Sequence, residues 1–183
     1  MVSDSDEKTA DQDLIRRVLA GDDGAFQRLI ERYQNLIWSL LNRMISDRDD
    51  REELAQDIFL KVYFKLNQFR FESKFSTWLY TIAYRAALSH LRKVAPEMTS
   101  IEQQAEVVSE DGELDSRLDA EQVVLAMNQL GLEDRTMLTL YHLHNCTIKE
   151  ISTIVGKPDG TVKNQLFRAR QKLKGILQAE VLV

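Results

Sequence analysis

Apolar residues recur every three to four positions through most of the chain, the period of helices that turn one face inward. A first helix is predicted over about 11–20, stopped by Gly21, and Asp22 or Asp23 can cap the next. There Phe26, Leu29, Ile30, Tyr33, Leu36, Ile37, Leu40, Leu41 and Met44 keep one stripe. A third helix is predicted over 51–66. From Ile58 onward, Ile58, Phe59, Leu60, Val62, Tyr63, Phe64 and Leu66 leave almost no polar face, so it should bury more than one side. After a break at 67–76, a helix over 77–93 is expected to turn Trp78, Ile82 and Leu88 inward. Four more helices are expected near 117–130, 132–144, 147–155 and 161–177.

With two prolines and seven glycines in 183 residues, little interrupts this pattern, and the fold class expected is all-α. Periodicity lapses over 95–116, which contains Pro96 and Gly112 and has the composition of a solvated, flexible acidic linker. The organisation expected is two small helical domains, 11–94 and 117–183, joined by that linker and preceded by a disordered acidic tail over 1–10.

The net charge of −5 argues superficially against nucleic acid, but the charge is segregated. Between Val94 and Asp119, Glu97, Glu102, Glu106, Glu110, Asp111, Glu113, Asp115 and Asp119 face Arg117 alone. Between Gly160 and Ala179 the charged residues are Lys163, Arg168, Arg170, Lys172 and Lys174, with no acid. No apolar run approaches the roughly 20 residues that cross a bilayer, and the acidic start is unlike an export signal. A cytoplasmic protein without membrane insertion is expected, and the single Cys146 cannot form an internal disulfide.

The basic C-terminal segment has a sharper signature. Thr147-Ile148-Lys149-Glu150 fits a capping box at a helix start, and Ile151, Ile154 and Val155 give that helix its buried side. Gly156-Lys157-Pro158 ends it and Asp159-Gly160-Thr161 begins another, the pattern of a helix-turn-helix. At about 100° per residue, Val162, Leu166, Ala169, Leu173 and Ile176 pack inward, and Asn164, Phe167, Arg168 and Gln171 face outward, flanked by Lys163 and Lys174. Such a face suits a major groove, with cations on phosphates, Arg168 or Asn164 on base edges and Phe167 against a thymine methyl. A charge run alone reads as a solvated surface; the capped helix, short turn and separated faces favour DNA.

A second concentration lies upstream, where nine of the fourteen aromatics fall between positions 59 and 84, interleaved or followed by Lys61, Lys65, Arg70, Lys74, Arg85, Arg92 and Lys93. Aromatic faces stack on unpaired bases while cations follow the backbone, so this mixture suits single-stranded nucleic acid. Core packing is the better reading for Phe59, Phe64 and Trp78 individually. Phe69, Phe71 and Phe75, set among Arg70, Ser73 and Lys74 in the least helical stretch, are the better candidates for exposed contacts.

Gly21-Asp22-Asp23-Gly24-Ala25-Phe26 through Arg32-Tyr33, then Ala55 to Tyr63, then Phe69-Arg70 through Phe75-Ser76-Thr77-Trp78-Leu79-Tyr80-Thr81-Ile82-Ala83, resemble the first domain of the extracytoplasmic-function group of sigma factors. Gly160-Thr161-Val162-Lys163-Asn164-Gln165-Leu166-Phe167-Arg168-Ala169-Arg170 resembles that group's second domain. The resemblance implies a transcription initiation factor whose partners are core RNA polymerase, through its clamp coiled coil and flap, promoter DNA, and an anti-sigma factor. It implies polymerase contact by Asp50, Glu53, Gln56, Asp57 and Leu60. It implies minus-10 contact by Phe69, Arg70, Phe71, Ser73, Lys74, Phe75, Trp78, Arg85 and Arg92, with the 69–75 loop holding a flipped non-template base. Minus-35 contact falls to Thr161, Lys163, Asn164, Phe167, Arg168 and Gln171. The chain departs from the family's frequent pattern at Arg85, Ser89 and Asn164, which stand where Asn, Asp and Ser are common.

Other chemistry is not expected. His142, His144 and Cys146 are spaced by two, which does not place them on one helix face, and no fourth zinc ligand is evident. Asp49-Asp50 and Glu52-Glu53 read as the acidic start of a helix, where its dipole favours anions. With no phosphate loop or nucleophile motif, neither catalysis nor a cofactor is expected. Two rival readings fit the same residues less fully: a stand-alone helix-turn-helix regulator, and a helical interaction protein without DNA activity.

Overall fold

The computed structural model describes residues 4–94 and 120–181, all helical apart from short connections, with no strand among the described residues. The predicted linker over 95–116 and the expected domain start at Arg117 lie outside the described residues. The chain divides into two compact units, one built on the run up to Val94 and the other on most of the run after it.

The first unit contains α1 (Asp4–Leu19), α2 (Asp23–Met44), α3 (Arg48–Lys65), a 3-10 turn (Leu66–Gln68) and α4 (Phe75–Val94). Its first helix begins at Asp4, so residues 4–10, expected as a disordered tail, are helical there. The turn into α2 needs a left-handed residue, supplied by Gly21 at φ 95. Asp22 then caps α2 by accepting from the Ala25 N–H at 3.0 Å, and Arg17 donates twice to its other oxygen, at 2.7 and 3.0 Å. The Arg17 hydrogen bonds, reinforced by the Ala25 N–H, hold the Asp22 carboxyl below the usual carboxylate range. Asp47 caps α3 in the same way through the Asp50 N–H, and Arg51 Nη1 donates back to the Ile45 and Ser46 carbonyls, satisfying the end of α2.

The core forms where α2 packs on α1, α3 and α4. Ile15, Leu29, Ile37, Leu40, Leu41, Ile58, Leu66, Leu79 and Tyr80 are fully buried, each such side chain contributing about 1.5–3 kcal/mol. In α4 the inward face is Phe75, Thr77, Leu79, Tyr80, Ala83, Tyr84, Ala86 and Ala87. The expected inward residues Trp78, Ile82 and Leu88 are only half-buried. Three residues of the observed inward face are alanines, small enough to let α4 approach its neighbours closely. One buried polar link ties α1 to this core. Asp11, 6% exposed, accepts from Arg32 at 2.6 Å and from the Tyr33 hydroxyl. Replacing Asp11 by Ala takes this acceptor from both donors and should cost about 1–3 kcal/mol in urea unfolding.

The second unit contains α5 (Ala120–Gln129), α6 (Leu132–Leu138), a π-turn (Thr139–Leu143), α7 (Ile148–Val155) and α8 (Asp159–Val181). Both α5 and α6 pack on α8. The expected continuous helix over 132–144 widens after Leu138: the His144 N–H reaches the Thr139 carbonyl at 3.2 Å, a five-residue spacing. Asn145, at φ 51, reverses the chain toward α7.

Candidate nucleic-acid and partner interfaces

The helix-turn-helix predicted from sequence is present. Thr147 and Glu150 cap α7 reciprocally, with the Thr147 N–H donating to the Glu150 carboxylate at 2.7 Å and the Glu150 N–H to the Thr147 hydroxyl at 3.3 Å. Gly156, left-handed at φ 71, ends α7 with its N–H on the Ser152 carbonyl. Removing the Thr147 hydroxyl (Thr147→Ala) should lower the stability of this unit by about 1 kcal/mol in denaturant titration while leaving its helix content intact.

On α8, Val162, Leu166, Ala169, Leu173 and Leu177 are buried; Ile176, expected inward, is half-buried, because the face turns slightly toward Leu177. Thr161, Lys163, Asn164 and Gln171 are exposed, and Phe167 and Arg168 are half-buried beside them. All six expected minus-35 residues thus avoid the packed face. Arg168 Nε is covered and has no hydrogen-bond partner among the described residues. Arg170 lies on the flank instead, its guanidinium 4.9 Å from the Tyr141 ring centre and its Nε donating to His142 Nε2 at 3.3 Å. Partial desolvation, with the Arg170 charge, holds His142 below its usual range, which keeps it an acceptor.

The aromatic segment is arranged differently from expectation. Phe69 and Phe75, expected as exposed contacts, are 7% and 4% exposed. The 3-10 turn folds Phe69 back over the start of α4, where it meets Phe71 at 4.9 Å, Trp78 at 5.4 Å and Phe75 at 5.5 Å. Tyr33 closes the cluster edge-on to Phe75 at 5.2 Å. Mutual ring burial therefore makes Phe69 and Phe75 the floor of the loop. Exposed above it are Arg70 and Lys74, with Ser73 and Phe71 half-buried. Phe71 sits at φ 60, a conformation that costs a bulky residue on the order of 1–3 kcal/mol and that holds its ring at the loop surface. The crevice between this loop and α1, of about 30 Å³, has room for water. Trp78 is half-buried, and Arg85 and Arg92 are exposed along α4.

A third surface runs along α3. Its buried side is Leu54, Ala55, Ile58 and Val62, continued by Leu66. The opposite side shows Glu53, Gln56 and Asp57 exposed, then Leu60 at 56%, Tyr63 at 42% and Phe64 at 74% exposure. The expectation that this helix buries more than one side is therefore wrong for the chain by itself, as is core packing for Phe64; Phe59 is half-buried. Periodicity could have found Phe64, which lies one turn beyond Leu60 on the same line. Phe26 and Tyr63 meet edge-on at 4.9 Å beside it. Asp50, the first of the expected polymerase contacts, is half-buried and 3.2 Å from His90 Nε2. The stripe is thus acidic at one end and apolar at the other.

Among the described residues, no group of three or more His, Cys, Asp or Glu could hold a metal ion, and no helix is long and apolar enough to cross a membrane.

Comparison with known proteins gives a family match over each unit. Sigma-70 region 2 matches residues 29–96 and Sigma-70, region 4 matches residues 120–173. The RNA polymerase sigma-H factor of Pseudomonas aeruginosa is 34% identical over 181 residues, 92% of this chain and 94% of that protein. The ECF RNA polymerase sigma-E factor of Escherichia coli is 33% identical over 187 residues, 94% of this chain and 96% of that protein. In the co-crystal structure of the sigma factor RpoE with the anti-sigma factor NepR from Bartonella quintana, the matched chain is 25% identical. It has a TM-score of 0.66, covering 84% of this chain and 96% of that one.

Proposed function

This chain belongs to the sigma-70 family as an ECF sigma factor that directs RNA polymerase to promoters, and on that premise we propose how its two units divide the work. The first unit, residues 4–94, docks on the polymerase clamp coiled coil through the outer stripe of α3 and helps melt the minus-10 element. Its single-strand surface is Phe71, Arg70, Ser73 and Lys74 above the Phe69–Phe75–Trp78 floor. Arg85 and Arg92 continue that surface, and what recommends them is their exposure on α4.

The second unit, residues 120–181, reads the minus-35 duplex with the outer face of α8. The acidic sequence 95–116 joins the two. The observation that carries this reading is the exposed Lys163–Asn164–Gln171 face, with Phe167 and Arg168, on a helix-turn-helix capped at both ends of α7. The chain contributes recognition, while bond formation belongs to the polymerase, in the cytoplasm. The RpoE complex with NepR supports an anti-sigma partner for this chain too. Run-off transcription with core polymerase on a promoter library tests the whole reading. Initiation confined to templates sharing two spaced elements is expected, and initiation indifferent to the added chain would refute it.

A further inference from the structure

The flank of α8 opposite Arg170 is held by side chains that none of the assignments above uses. Glu133 and Asp134 open α6, and between them they meet three positions of the helix-turn-helix. Lys157, in the turn, donates to Glu133 at 2.7 Å and to Gln165 Oε1 at 3.3 Å. Gln165 Nε2 donates to Glu133 at 3.0 Å and lies 3.4 Å from Asp134. Lys172, two turns further along α8, donates to Asp134 at 2.7 Å. The turn itself is tied down by Ser152, whose hydroxyl donates to the Lys157 carbonyl at 2.6 Å.

We propose that Glu133 is a positioning residue for minus-35 recognition: with Asp134 it clamps Lys157, Gln165 and Lys172 and so sets the rotation of α8 about its own axis. This rests on the reading of α8 as the minus-35 helix. Gln165 and Lys172 lie two turns apart and share a flank, so the carboxylates hold that flank against the start of α6 at two points and oppose a roll that would carry it away. Rolling matters because side-chain tips lie about 5–6 Å from a helix axis, and a roll of about 20° displaces them by about 2 Å. That exceeds the tolerance of a bidentate base contact. Burial opposes ionisation of Glu133, yet the Lys157 and Gln165 hydrogen bonds and the Lys157 charge together hold its carboxyl below the usual range, so the clamp stays charged.

The test uses holoenzyme reconstituted from core polymerase and the full chain, on promoters carrying the selected minus-35 element or single-base variants of it. Glu133→Lys and Lys157→Glu should each weaken occupancy of the selected promoter by about tenfold and flatten the preference among variants. The double exchange, which restores the pair with reversed polarity, should return both to within about threefold of the parent. A merely stabilising pair would also be repaired by the exchange, but its loss would lower affinity without changing base preference, so the preference among variants is the deciding readout. Gln165→Leu, which removes the shared amide and leaves both charges, should flatten preference if either charged variant folds poorly by thermal melting. Single variants with parental occupancy and preference would overturn the proposal, as would a double variant no better than the worse single. Arg168→Ala run in parallel separates the two levels: if it leaves minus-35 dependence untouched, the reading of α8 fails along with the clamp.

Discussion

Arg168→Ala should reduce initiation from a promoter with an intact minus-35 element by about 5- to 150-fold, the range of one bidentate base contact. The side chain is half-buried on the outer face of α8, and its covered Nε makes no hydrogen bond among the described residues, so truncation breaks none there. Asn164→Ala should behave similarly at a different base pair, because the two side chains are one helical turn apart along the groove-facing side. Lys163→Ala gives the contrasting outcome: weaker binding to all sequences alike, with the salt slope reduced by about 1, as for a phosphate contact. Quantitative run-off on minus-35 variants distinguishes these patterns. Equal losses on every template for all three variants would mean that the face holds phosphate without reading bases.

Phe64→Ala combined with Leu60→Ala should weaken core polymerase binding by about 30-fold or more, the behaviour of an aromatic anchor at the centre of an interface. At 74% and 56% exposure these side chains contribute little to the free fold, so thermal melting should be unchanged or slightly improved. Competition for core polymerase, read by fluorescence anisotropy of a labelled chain, measures the loss. Unchanged core affinity would show that the apolar end of α3 serves another partner, and the acidic Glu53–Asp57 end would then carry the polymerase contact alone.

These two surfaces are unequally legible in the sequence. The α8 face follows from a single stripe of apolar residues, and when one side of a helix is clearly apolar the other side is its exposed side. Thr147, Glu150 and Gly156 add local signals that act within a few residues and need no tertiary context. Periodicity misreads the α3 surface because this helix is apolar on two sides. It shows that both exist; which of them α2 and α4 cover is a matter of packing. The same limit reverses Phe69 and Phe75, whose position in a loop suggests exposure, and hides the Glu133 clamp, whose hydrogen-bonded partners are up to 38 positions apart.

Sequence alone determined the all-helical class, the order of the described helices and most of their bounds to within a few residues, the helix-turn-helix and the family, since each depends on local periodicity, capping and motif order. Tertiary structure alone decided that Leu60, Tyr63 and Phe64 stay uncovered, that Phe69 and Phe75 are buried with Phe69 against Phe71, and that two carboxylates on α6 hold the flank of α8. Burial is a property of neighbours brought together from distant parts of the chain, and no pattern within one segment specifies them.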